Sequence, residues 1–396
     1  MNIKSIPYIF FLGGFAYYGL LPIVFLYFFQ NYPIAQIAIS NSGSKLFLEL
    51  YSALAFVFLI CFSVGYYFSL RTKKFRVKTH NIDKVKELRV IISFLYIVFT
   101  IFSINVTEII SLVGYLGEYD VAHRGQLTTL YLTSIWWFIY FKTDIHAKLM
   151  LFIALLAGLN LLALGSRLGV LTGIISMIIY YGYFAKENMK FIRGSGLGSV
   201  KGILTLTVVL VLMTSVGLIR EGSSITVEGA LSIFSAEPLF IYASVPAYFS
   251  NTSLPLFAIP VDIFASVIAA IPSFMFSAKV DFFAEYTSVD RNSLSGFGGM
   301  NHLVSLVANF GLIGFPFAAF LEGAWFGMLI KNAYKSPFFR AVAITSISVI
   351  PFIMFRDGFQ TTIKILFFNF LLFPYIATRV LLFLKRSVRP SVARPF

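Results

Sequence analysis

The sequence predicts an all-α polytopic membrane protein: about ten transmembrane helices, up to twelve, and a large outward loop holding interfacial or re-entrant helices. Three observations lead there. Hydrophobic residues make up 58% of the chain and charged residues 12%, against about 45–50% and about 25% in a soluble domain. The apolar runs are roughly 20 residues long, the length a helix needs to cross about 30 Å of hydrocarbon. They lack the short alternating pattern of barrel strands. Lysine and arginine also fall in alternate connections, as a multi-pass topology requires.

The spans follow in order. The first is expected at 6–29, behind Lys4, and the second at 46–70. The run Arg71 to Lys78, with Lys84, Lys86 and Arg89, is the strongest inside signal. The third span is expected at 90–106, the fourth at 127–141, the fifth at 149–165, the sixth at 168–184 and the seventh at 202–219. Spans eight to ten are expected at 303–330, 341–359 and 365–384. The first run is too long for the core of a cleaved signal peptide, and no small-residue cleavage site follows it.

With the N-terminus inside and ten crossings, 22 of the 31 Lys and Arg residues fall inside and 8 outside. Both termini are therefore expected to be cytoplasmic. The net charge of +14 then serves topology and an anionic inner leaflet, not nucleic acid. Three regions result: spans one to seven over 1–219, an outward loop over 220–302, and spans eight to ten with a basic tail over 303–396. The loop carries three positive charges against seven negative. Its apolar segments, 237–249 and 254–276, are broken by proline and rich in aromatic residues. They are expected to lie at or dip into the interface rather than cross; two further crossings would keep the same parity.

Cys61 is the single cysteine, so there is no internal disulfide framework. Four scattered histidines without a Cys/His cluster argue against a structural metal. No Walker loop, HExxH or GxSxG is present. No cytoplasmic domain is available to hold a nucleotide sugar.

Outward arginines are few. Arg124, Arg167, Arg220, Arg291 and Arg356 come from four outward segments. Arg167 sits in the tight turn before the sixth span, Arg220 ends the seventh and Arg356 ends the ninth. Ionisable groups at this depth are costly and usually face a wet cavity. Guanidinium forks suit phosphate oxygens. Each could instead snorkel to headgroups, and Arg356 could pair with Asp357. His302 opens the eighth span and His123 precedes the fourth. Imidazole suits general-base work near neutral pH. Arg124 beside His123 disfavours a second positive charge there, which favours His302. Glu237, Asp290 and Glu221 are alternative bases. Glu322 and Glu49 lie within or near spans and could relay protons or pair locally. Asn309-Phe310-Gly311 and Gly314 place small residues for close helix packing.

Several short motifs resemble the bacterial O-antigen and oligosaccharide-repeat-unit polymerases (Wzy-type). They are Leu164-Gly165-Ser166-Arg167, Ile219-Arg220-Glu221, Gly299-Met300-Asn301-His302, Val307-Ala308-Asn309-Phe310-Gly311 and Phe355-Arg356-Asp357. Some members carry a glycine eleven positions after an outward arginine, where Arg220 has Leu231. The resemblance implies a glycosyltransferase of the bacterial inner membrane. Its donor and acceptor would be undecaprenyl-pyrophosphate-linked oligosaccharides on the outer face. Arg220 and Arg356 would stabilise the departing pyrophosphate, with His302 as base and inversion at the anomeric carbon. Arg167, Arg124 and Arg291 would bind phosphate, while Glu237 and Tyr242 would meet sugar. With guanidinium groups supplying positive charge, it implies no metal and no cofactor. It also implies a chain-length regulator and a flippase as partners. An O-antigen ligase would use the same donor, and a repeat-unit flippase is the alternative from a different class.

Overall fold

The computed structural model describes residues 3–28, 45–72, 89–104, 121–141, 144–163, 166–184, 227–251, 254–271, 276 and 299–388. Among these the chain is helical, and its one extended feature is an isolated bridge between Met300 and Asp357. Six helices are long and apolar enough to cross a membrane: Ile6–Phe28, Phe47–Arg71, Ile145–Leu162, His302–Asn332, Pro337–Met354 and Gly358–Val380. They fall on the expected first, second, fifth, eighth, ninth and tenth spans. The protein is thus membrane-embedded and, over the described residues, all-helical. The expected seventh span, 202–219, lies outside the described residues.

The chain divides into two compact units. One comprises Met1–Thr72, Ile175–Lys331 and Ser346–Lys364; the other comprises Lys73–Ile174, Asn332–Thr345 and Ile365–Phe396.

The first unit is organised on α1 (Ile6–Phe28) and α2 (Lys45–Arg71), which run antiparallel. Tyr66 donates to the Lys4 carbonyl, Tyr8 meets Ser63 at 3.0 Å, and Tyr51 donates to the Tyr18 carbonyl at 3.0 Å. The Phe11 and Phe62 rings stack at 3.7 Å between them. Lipid offers no hydrophobic drive between helices, so close packing and internal hydrogen bonds must hold the pair.

Three shorter helices follow: α7 (Val227–Tyr242), α8 (Ser244–Asn251) and α9 (Val261–Ala270). Each is shorter than the ~20 residues of a full crossing. Pro238 sits inside α7 and has no N–H to give the Phe234 carbonyl one turn back. Tyr17 of α1 donates to that carbonyl at 2.7 Å. Tyr17→Phe is therefore expected to lower stability by roughly 1–2 kcal/mol, because lipid cannot replace the lost donor. Thermal unfolding in detergent checks this; an unchanged midpoint would remove Tyr17 from the α1–α7 junction.

The expected eighth span departs most from the sequence reading. Hydropathy predicts one crossing over 303–330. The helix His302–Asn332, α10, is instead broken at Gly311, with φ 70° and ψ 176°. His302 Nε2 lies 3.0 Å from both carboxylate oxygens of Glu322, 20 positions along the same helix. A straight helix would hold them about 30 Å apart. Residues 302–310 therefore fold back on 312–332 as a hairpin of a short half-helix and a full-length one. A left-handed backbone favours glycine, and a Cβ at 311 would lie 2.5 Å from the Leu256 carbonyl oxygen. The two N–H groups freed by the break donate to that same loop: Leu312 to Pro255 O at 2.9 Å and Ile313 to Leu256 O at 3.1 Å.

The longer half of α10 runs parallel to α2 through small residues. Added Cβ atoms at Gly65 and Gly323 would sit 2.0 Å from the carbonyl oxygens of Phe320 and Phe62 respectively. Lys331 then caps the carbonyl end of α2, reaching Ser69 O at 3.2 Å. Gly323→Ala is expected to cost about 1–3 kcal/mol, since backbone must move to admit the methyl group. Unfolding of the purified variant at the wild-type temperature would contradict that close approach.

The second unit holds α3 (Arg89–Ser103), α4 (Val121–Phe141), α5 (Ile145–Ala163) and most of α6 (Arg167–Ile179). Arg89 pairs with Asp144, and Ser93 meets His146 Nδ1 at 3.0 Å. Tyr131 of α4 donates to Val170 O at 2.8 Å. The faces of α3 are inverted relative to a soluble helix. Ser93, Thr100 and Ser103 are buried, while Phe94, Phe99 and Phe102 are exposed, as a lipid solvent dictates.

Candidate functional site

The polar centre of the first unit forms where two helices are interrupted. The helix α11 (Pro337–Val349) ends in a wide turn, Ile350–Met354, that contains Pro351. A proline cannot complete the ladder, and an expanded turn accommodates it. The Asp357 N–H closes the end on Ile353 O at 2.9 Å. The next helix, α12 (Gly358–Ile363), starts at once, because Gly358 adopts φ 72°. Arg356 and Asp357 thus sit in the joint between two apolar helices.

The entry and first turn of α10 hold that joint. The Met300 N–H donates to Arg356 O at 2.8 Å. The Phe359 N–H donates to Ser305 Oγ at 2.8 Å. Asn301 is fixed in turn: its N–H reaches Ser244 Oγ at 3.0 Å and its amide donates to Tyr51 OH at 3.1 Å.

The Arg356 guanidinium lies between two carboxylates. Its Nε is 2.8 Å from Glu237 Oε1, and its Nη1 is 3.1 Å from Asp357 Oδ1. Tyr18 donates to the same Glu237 oxygen at 3.2 Å. The side chains of Arg356, Glu237 and Asp357 are 26%, 36% and 23% exposed. Four elements therefore converge: α1 by Tyr18, α7 by Glu237, the α11–α12 joint by Arg356 and Asp357, and the α10 entry by Met300. Tyr18 is level with Tyr51 of α2. That is two helical turns, about 10 Å, from the α2 midpoint at Phe58. The cluster thus lies within the height of the spanning helices, where an ion pair must be internally satisfied.

The sequence-derived residues fare differently. Arg356 and Glu237 are brought together, a pairing the sequence did not indicate, and Arg356 also takes Asp357 as anticipated. His302 opens its helix as expected, but not at the outer surface. It is 0% exposed, edge-on to Phe58 at 5.7 Å and to Phe355 at 6.3 Å. Its imidazole faces Glu322, so the expected base is walled in by aromatic rings. Tyr242 is 1% exposed and meets the Tyr51 ring at 5.1 Å, so its ring is spent on packing. Arg167 opens α6 in the second unit and Arg124 lies in the first turn of α4; their side chains lie outside the described residues. Arg220 and Arg291 lie outside them altogether.

The sequence singles out neither Tyr18 nor Ser305, and Asn301 only as part of the Gly299-Met300-Asn301-His302 motif. Tyr18 sits inside a continuous apolar run and carries no local signal. Pro238 does signal an orphan carbonyl at Phe234, but not which helix satisfies it.

A guanidinium in this setting can exchange a carboxylate for another oxyanion. The cluster holds one positive and two negative side chains, so an incoming phosphate would take the fork and release a carboxylate. Among the described residues no group of three His, Cys, Asp or Glu side chains could hold a metal ion. Comparisons with protein-family models, curated proteins and solved structures find no match for this chain.

Proposed function

We propose that this chain polymerises undecaprenyl-pyrophosphate-linked oligosaccharide units into an O-antigen or capsular polysaccharide. It would work at the outer face of the bacterial inner membrane, with about ten spans and both termini cytoplasmic. The observation that carries this reading is the partly open Arg356 guanidinium, held by Glu237 and Asp357 at a helix joint within the membrane. The outward arginines and the family resemblance support the same reading.

In the proposed step the donor pyrophosphate takes the Arg356 fork and displaces Glu237. The acceptor hydroxyl attacks the anomeric carbon of the growing chain from the face opposite the leaving group. The new C–O bond forms as the bond to the pyrophosphate oxygen breaks, and the anomeric configuration inverts. The proton passes to the freed Glu237 carboxylate, and the negative charge leaves on the lipid pyrophosphate, stabilised by Arg356. Glu237 replaces His302 as the proposed base because it is the open carboxylate, while His302 is enclosed.

The test uses purified full-length protein in detergent and lipid-linked oligosaccharide extracted from cells lacking it. A ladder of longer glycans is expected. A second reading, a flippase, is favoured by one observation: the α10 break with a part-buried His302–Glu322 pair at mid-height resembles the interrupted helices of secondary transporters. Transbilayer movement in vesicles with no glycan lengthening in detergent would favour it and remove the polymerase.

A further inference from the structure

His302 and Glu322 stand 20 positions apart in one helix, and they meet at 3.0 Å only because Gly311 turns the chain back. The pair lies at the middle of α2, where Phe58 and Phe355 wall the imidazole. Removing Glu322 strands the enclosed imidazole among apolar rings. His302 and two of its chain neighbours touch the Arg356 joint. Met300, two positions before His302, donates to Arg356 O at 2.8 Å. The His302 ring packs edge-on against Phe355 at 6.3 Å. Ser305, one turn on, accepts from the Phe359 N–H at 2.8 Å. Contacts at 355, 356 and 359 thus bracket the guanidinium on both sides along the chain. Glu322 itself belongs to the longer half of α10. Glycines at 65, 323 and 327 lock that half to α2, each leaving room for no more than backbone.

A continuous line of contacts therefore runs from α2 through Glu322 and His302 to the main chain that aims Arg356. We propose that Glu322 and His302 form a latch across the α10 hairpin that sets the depth and direction of Arg356. They are positioning residues for the proposed transfer, and the proposal rests on Arg356 being its anion-binding group. The latch accounts for a polar pair kept at the mid-height of α2, away from the open cluster. It also accounts for the half-helix, which alone is too short to cross.

Exchanging the partners separates a latch from a base. A latch works in either direction, whereas a base must sit at its own atom. The geometry is read without activity by placing Met300→Cys and Asp357→Cys in a Cys61→Ser background of the full chain. These two residues are bridge partners, within the roughly 4.4–6.8 Å Cα range that a disulfide spans. In membranes under mild oxidant the crosslink is expected to form with the latch intact. It is expected to fall at least about tenfold in Glu322→Leu and in His302→Leu, each of which removes one member of the part-buried pair. It should return in the double variant His302→Glu with Glu322→His. Glycan transfer, measured with 300 and 357 native, is expected to follow the same order. An unchanged crosslink in whichever single variant accumulates would overturn the latch. So would a double variant with the crosslink restored and transfer still absent, which would mark His302 as acting on substrate. If wild-type protein lengthens no glycan but the crosslinks behave as stated, the transferase reading falls and the latch stands.

Discussion

Arg356→Ala is expected to lower glycan transfer about 10²–10³-fold, the usual cost of removing one preorganised donor to a developing oxyanion. The loss should appear in kcat, with a rise in KM, because in the proposed transfer the guanidinium meets the pyrophosphate before and during bond breaking. Arg356→Lys should recover little. A lysine keeps the charge but not the planar fork, and its ammonium would reach one carboxylate rather than bridging Glu237 and Asp357. Folding should change far less than activity. The side chain is 26% exposed, so the ion pair is partly screened and its share of stability is small. Full transfer by Arg356→Ala protein that is inserted and stable would detach the joint from the chemistry.

Glu237→Gln should give a different kinetic pattern. The amide still accepts a hydrogen bond from Tyr18, so α1 and α7 stay joined. It cannot take the acceptor proton, and removing a positioned base costs about 10²–10⁴-fold in rate. KM should hold steady or fall, because the carboxylate that competes with phosphate for Arg356 is gone. Lower kcat without a raised KM is thus the signature of a base that also guards the anion site. A Glu237→Gln protein with normal kcat would return the base to another residue. His302 would be tested next by the partner exchange.

Much of the helix layout was legible because lipid imposes length and composition on each crossing. The runs at 6–29, 46–70 and 149–165 needed no more than hydropathy. The α10 hairpin was not legible in this way. Residues 302–332 read as one apolar stretch, and Gly311 looks no different in sequence from Gly314. What separates them is that Gly311 meets the Leu256 carbonyl at a positive φ, a contact between segments 55 positions apart. His302 was misplaced for the same reason. A residue at the start of a span is expected near the surface, and only a reversal of the chain carries it to mid-height beside Glu322.

The candidate site was half legible. Arg356 stands out because arginine is scarce in the segments expected to face outward. Glu237 was named as acidic and possible chemistry, yet its pairing joins positions 119 apart and no local pattern encodes it. The family resemblance implies that Tyr242 meets sugar; here the ring fills the gap beside Tyr51. Tyr18 was invisible for the converse reason, since one hydroxyl in an apolar helix does not disturb hydropathy.

The most direct measurement counts bonds against leaving groups. Purified wild-type protein in detergent is given the lipid-linked oligosaccharide, and both new glycosidic bonds and free undecaprenyl pyrophosphate are quantified. One lipid pyrophosphate released per bond formed, with inverted anomeric configuration and with both products lost in Arg356→Ala, is the expected result. Bond formation unaffected by Arg356→Ala, or no lipid pyrophosphate released from an active substrate preparation, would contradict the assignment of Arg356 to the departing pyrophosphate.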